Sequence, residues 1–134
     1  MSNTNYLLAY GSLRKDEYNF ERINRVFKDS LKYINTQVIE GFALYSLGVY
    51  PGVKATPSIL NNKLTVELLE VSDEALNYIH RMEIGANYEA AKTTVINNEQ
   101  EKVEATIYLY KGNISKQTHI ISGDWSLFLR NLRG

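Results

Sequence analysis

Tyr6-Leu7-Leu8-Ala9-Tyr10 is a short, largely apolar run that stops at Gly11-Ser12. Its length and the glycine that ends it are those of a buried strand running into a turn. Outward from this run, Glu17 to Lys28 carries Phe20, Ile23, Val26 and Phe27 at spacings of three and four, with Arg22, Arg25 and Lys28 elsewhere, so an amphipathic helix is expected. Val38 to Leu47 mixes β-branched and aromatic residues and reads as a strand, followed by a loop at Gly48-Val49-Tyr50-Pro51-Gly52. Leu64 to Val71, Ala90 to Ile96 and Lys102 to Tyr110 read as further strands. The last of these alternates Val103, Ala105, Ile107 and Leu109 against Glu104, Thr106, Tyr108 and Tyr110. Ser72 is placed to cap a helix that starts with Asp73-Glu74 and reaches Glu83, with Gly85 as its C-cap. Trp125, Phe128, Leu129 and Leu132 mark a short final helix. Strands outnumber helices and do not alternate with them regularly, so the expected class is α+β, a mixed barrel or curled sheet in one domain over residues 1–134.

The 134 residues are 44% hydrophobic and 22% charged, enough apolar material for a real core and too little charge for a disordered tail or coiled coil. Fifteen basic and fifteen acidic side chains cancel, which argues against non-specific nucleic-acid binding and against a polybasic membrane surface. There is no cysteine, and the two histidines, His80 and His119, match no metal-ligand spacing, so a catalytic metal is not expected. No apolar run approaches 18 residues, and Met1-Ser2-Asn3-Thr4-Asn5 is polar; the chain reads as soluble and cytoplasmic, with a monomer preferred. Ten tyrosines against four phenylalanines are compatible with a polar-ligand pocket as well as with a core rim.

Two positions stand out chemically. In the helix after Ser72, Glu83 continues the stripe of Leu76 and Ile79 instead of facing water, and it sits in the last turn, where helix carbonyls disfavour negative charge. Burial and dipole together would raise its pKa toward that of a general base. The alternative is a helix that frays at Met82 and leaves Glu83 in solvent. Gly11-Ser12-Leu13, between a strand and a helix, can form an anion-holding nest of backbone N–H groups or be a plain turn. Ser12 lacks a second glycine for a nucleophile elbow and has no histidine assigned to it, so serine hydrolysis ranks low. His80 reads as a surface or core-rim residue.

Tyr10-Gly11-Ser12-Leu13-Arg14, Asn19, and Leu44-Tyr45-Ser46-Leu47-Gly48-Val49-Tyr50-Pro51-Gly52, taken in order, resemble the γ-glutamylcyclotransferase-like family, including its AIG2-like and YtfP-like branches. Glu67-Leu68-Leu69-Glu70-Val71, Met82-Glu83 with Tyr88, and Ser122-Gly123-Asp124-Trp125 extend the resemblance over nearly the whole chain. It implies a five- to six-stranded mixed barrel with flanking helices and a cavity at one end. It further implies Glu83 as the acid/base residue, Gly11, Ser12 and Leu13 on a carboxylate, and Tyr10, Tyr88 and one of Tyr108 or Tyr110, with Tyr110 preferred, as pocket lining. The reaction implied is cyclisation of a small γ-glutamyl substrate, a γ-glutamyl amine or amino acid, to 5-oxoproline and a free amine, without a cofactor. A non-catalytic module that keeps the pocket is the alternative. The chain departs from the family pattern at His80, where Asp is usual, at Ile84, at Glu89-Ala90-Ala91 and at Val66.

Overall fold

In the computed structural model, which describes residues 4–132, β1 (Asn5–Ala9) is the middle strand of a five-stranded sheet. The start of the polar segment, Met1-Ser2-Asn3, lies outside the described residues. The other members are β2 (Leu31–Glu40), β5 (Lys63–Val71), β6 (Tyr88–Ile96) and β7 (Lys102–Tyr110), in the order β2-β5-β1-β7-β6. β1 runs antiparallel to β5 and parallel to β7, with Leu7 opposite Thr106; the outer pairs are antiparallel.

The near-continuous apolar run of β1 follows from its central place, because both of its faces are covered. Leu7 and Ala9 enter one core with Phe20 and Ile23 of α1 (Tyr18–Val26) and Ala75 and Ile79 of α2 (Asp73–Gly85). Leu8 and Tyr10 enter a second core on the opposite face. There they meet Leu44 of β3 (Phe42–Ser46), Val53 of β4 (Pro51–Ala55) and Trp125 of α3 (Trp125–Leu132). β4, β3 and the two-residue β8 (Thr118–His119) form a second sheet in that order.

The five-stranded sheet curls until its two edges meet through side chains. Asn35 and Gln37 of β2 donate to the Ile96 carbonyl of β6 at 3.1 and 2.9 Å, and Asn98 returns a bond to the Ile34 carbonyl at 3.0 Å. Amide side chains thus satisfy edge groups that would otherwise present a template for pairing with another chain. The fold is therefore mixed α+β, as expected, with five strands in the curled sheet and three more beside it.

Several boundaries differ from the sequence reading. The expected single strand Val38–Leu47 is two strands broken at Gly41, whose φ of +82° suits glycine. The first half of β2 was not anticipated. Its burial does not alternate: Leu31 is buried, Lys32 and Tyr33 are exposed, Ile34 and Asn35 are half-buried, and the pairing register shifts between Tyr33 and Asn35. The expected loop at residues 48–52 ends at Tyr50, because Pro51 opens β4, an edge strand of its sheet where proline's missing N–H is tolerated. Ser72 caps α2 as expected, accepting the Ala75 N–H at 3.2 Å. Gly85 is not its C-cap: the helix includes Gly85, Ala86 takes the cap position, and the left-handed residue is Asn87 with φ of +75°.

Candidate active site

Beyond the end of β1, the chain turns at Gly11-Ser12-Leu13 and closes one side of a cavity of about 700 Å³. The Ser12 carbonyl receives the Asn19 and Phe20 N–H groups at 3.0 and 3.1 Å, which docks the first turn of α1 onto the loop. Gly11 is required here by close approach: a Cβ would lie 2.7 Å from Cγ of Pro51. Among the described residues, no protein acceptor meets the N–H groups of Ser12 or Leu13. The loop is anchored from below by charge. Arg14 Nε and Nη1 donate to Glu67 at 2.9 Å and to Asp124 at 3.0 Å, and Glu67 also accepts the Lys15 N–H at 2.6 Å. Asp124 accepts the Leu127 N–H at 3.1 Å as well, so one carboxylate both starts α3 and holds the loop.

All seven residues singled out from the sequence line this cavity: Tyr10, Gly11, Ser12, Leu13, Glu83, Tyr88 and Tyr110. Tyr108, on the same face of β7 as Tyr110, lines it too. Glu83 enters from the last turn of α2 and does not fray into solvent. Burial raises its pKa from the ordinary 4.5 to about 7. No protein group hydrogen-bonds its carboxylate among the described residues, so its acceptor capacity faces the cavity unused.

The tyrosines divide by what their hydroxyls do. Tyr10 donates to the Tyr108 carbonyl and Tyr88 to the Pro51 carbonyl, both at 2.5 Å, so these two brace the walls. Burial first, then nearby phenols and the Glu83 carboxylate, raise the phenol pKa of Tyr10 and of Tyr88, and burial pushes that of Tyr108 up to about 12. All three remain protonated at neutral pH. Tyr110 packs edge-on to Tyr88, ring centroids 5.4 Å apart. Ser12 Oγ accepts from Asn19 Nδ2 at 2.7 Å, which leaves its own proton to donate elsewhere.

Sequence reasoning named no role for Trp125, Pro51, Met82 or Tyr18, which also line the cavity, nor for the ion cluster beneath the loop. Glu67 carried a usable signal: it shares the phase of Leu69 and Val71 and so had to be buried with a partner. Trp125 was read only as part of the final helix and of the Ser122–Trp125 motif, because its place on the cavity wall depends on the Gly11 loop, far away in sequence. Among the described residues no group of three His, Asp or Glu side chains is arranged to hold a metal, and no helix is long and apolar enough to cross a membrane.

Residues 7–127 match the family described as gamma-glutamyl cyclotransferase, AIG2-like. The chain belongs to that family. The solved structures similar to it include an AIG2-like protein from Mus musculus, 13% identical with a TM-score of 0.75 over 92% of this chain and 89% of the other. Others are the uncharacterized protein PH0828 from Pyrococcus horikoshii, 24% identical with a TM-score of 0.72 over 96% of both chains, and protein ytfP from Escherichia coli. The last is 22% identical, with a TM-score of 0.65 over 90% of this chain and 95% of the other. At these identities the likeness is one of fold. No curated protein matches the chain significantly. Membership of this family supports a cyclotransferase type of activity in general.

Proposed function

We propose that this cavity cyclises a γ-glutamyl amine or γ-glutamyl amino acid, releasing 5-oxoproline and a free amine, with Glu83 as general acid and base. The observation that carries the reading is Glu83 itself: a carboxylate without a protein partner among the described residues, held near neutral pKa by burial, lining the same cavity as Ser12 and Leu13, whose backbone N–H groups meet no protein acceptor among those residues. The N–H groups of Ser12 and Leu13 suit the substrate's α-carboxylate, which places its α-ammonium toward Glu83.

Ionised Glu83 takes one proton from the α-ammonium. The freed amine attacks the γ-carbonyl carbon, a new C–N bond closes a five-membered ring, and the carbonyl π pair moves onto oxygen. The Ser12 hydroxyl, whose proton is not spent on Asn19, is a donor for that oxyanion. Glu83 then returns its proton to the departing nitrogen, the oxyanion pair re-forms the C=O bond as the original C–N bond breaks, and the ring nitrogen sheds its second proton, which the departing amine takes up as ammonium. Attack within one molecule needs no activated water, and holding the chain folded supplies much of the acceleration, since oriented intramolecular reactions reach effective molarities of roughly 10⁵–10⁸ M.

The test is 5-oxoproline release from a panel of γ-glutamyl amino acids and γ-glutamyl amines, including γ-glutamyl-lysine, alongside ligand-dependent thermal stabilisation. Release from at least one compound is expected, and the best leaving group defines the substrate class. Stabilisation by these compounds with no 5-oxoproline formed would replace the enzyme with a binding module.

A further inference from the structure

His80 touches the cavity wall from behind. It lies three residues before Glu83 on α2, on the same side of the helix. Its Nδ1 is 3.0 Å from the Tyr108 hydroxyl, with the two rings 5.9 Å apart and tilted by 50°. The Tyr108 ring is buried and its backbone is fixed by the bond from Tyr10, whereas His80 is exposed to solvent. Among the described residues, the Tyr108 hydroxyl has no other protein partner.

A phenol oxygen has one proton and two lone pairs, so what His80 does with Nδ1 decides what Tyr108 shows to the cavity. If Nδ1 is bare, Tyr108 donates to it and the cavity meets lone pairs. If Nδ1 carries a proton, the imidazole donates and the Tyr108 proton is free to point inward. Among the described residues the one protein group within hydrogen-bond reach of this buried phenol is His80, while water can serve the other imidazole nitrogen. We infer that His80 is a positioning residue: its bare Nδ1 accepts the Tyr108 proton and so turns the Tyr108 lone pairs toward the cavity that Glu83 lines. The consequence for catalysis rests on the proposed cyclisation, in which the Tyr108 oxygen and the Glu83 carboxylate together accept the substrate ammonium. The polarity of the hydrogen bond does not rest on it.

Only two histidines occur in the chain, so ¹⁵N-histidine labelling gives two rings, and His119→Gln assigns them. For neutral His80 the spectrum is expected to show a bare Nδ1 and a protonated Nε2, with the Nδ1 signal moving in Tyr108→Phe. A protonated Nδ1, or one indifferent to Tyr108→Phe, overturns the inference whatever the enzyme's activity. In kinetics, His80→Phe is expected to raise KM for the best γ-glutamyl substrate about tenfold, the worth of one hydrogen bond, with kcat nearly unchanged. In the Tyr108→Phe background the same substitution is expected to cost nothing more. A KM cost that persists there would show that His80 acts by another route and would also overturn the inference. A wild type that releases no 5-oxoproline removes the cyclisation reading, and the nitrogen spectrum then decides the polarity alone.

Discussion

Glu83→Gln is expected to lower 5-oxoproline release by roughly 10²–10⁴-fold, the usual weight of a positioned general acid and base. The same variant is expected to be more stable than wild type at pH 8. The sign follows from the raised pKa. The unfolded chain releases the Glu83 proton near pH 4.5, whereas the folded chain keeps it to about pH 7. Folding is therefore favoured by the neutral carboxyl below pH 4.5, and that stability is lost as pH rises through 7, leaving a desolvated charge. Glutamine carries no such charge, so the variant should gain of the order of 2–3 kcal/mol at pH 8 and nothing at pH 4. Thermal denaturation at the two pH values reads this directly. A variant that lost activity and stability together at pH 8 would mark Glu83 as a structural carboxylate.

Gly123→Ala is expected to be the most damaging small substitution outside the cavity. Gly123 sits at φ of +69°, donates its N–H to Ile120 at 3.0 Å, and accepts the Thr65 N–H of β5 at 2.8 Å. A Cβ there would lie 1.8 Å from the Lys63 carbonyl oxygen and 2.8 Å from its carbon. Both neighbours are backbone, so no rotamer change relieves the overlap; β5 or the start of α3 must move. Moving them displaces Asp124 from Arg14 and Trp125 from the cavity wall. The expected loss exceeds about 4 kcal/mol, seen as a drop in Tm of at least roughly 10 °C. A Tm within about 2 °C of wild type would show that the two segments are not held as closely as described. The three adjacent residues thus have separate duties: Gly123 allows backbone contact, Asp124 caps α3 and holds Arg14, and Trp125 walls the cavity.

What the sequence disclosed, and what it hid, follows the same physics. Elements whose burial is set by local periodicity were legible: the doubly covered β1, the stripe of α2 with Glu83 on it, and Tyr108 and Tyr110 on one face of β7. The first half of β2 was not, because its burial does not alternate across the register shift at Tyr33/Asn35 and its edge is satisfied by Asn35 and Gln37 reaching β6, about 60 residues away in sequence. β4 was hidden by Pro51 and Gly52, which read as a loop yet open an edge strand. Gly52 leaves room there for Leu47 and Tyr110, both within 3.3 Å of where a Cβ would sit. In the site, motif residues could be placed one by one, but the division of labour among the tyrosines depends on which carbonyl each hydroxyl meets. Tyr10 and Tyr88 are spent on backbone, Tyr110 is not, and Tyr108 is turned toward His80.

The central claim is that a carboxyl titrating near neutrality carries the proton in ring closure. Its most direct test is the pH dependence of kcat/KM for 5-oxoproline release from about pH 5 to about pH 9, in wild type and in Glu83→Gln. The account predicts a wild-type rate that climbs with an apparent pKa near 7 as Glu83 ionises, with that limb absent from whatever activity the variant retains. A profile flat across this range, or a limb near pH 7 that survives in Glu83→Gln, would contradict it.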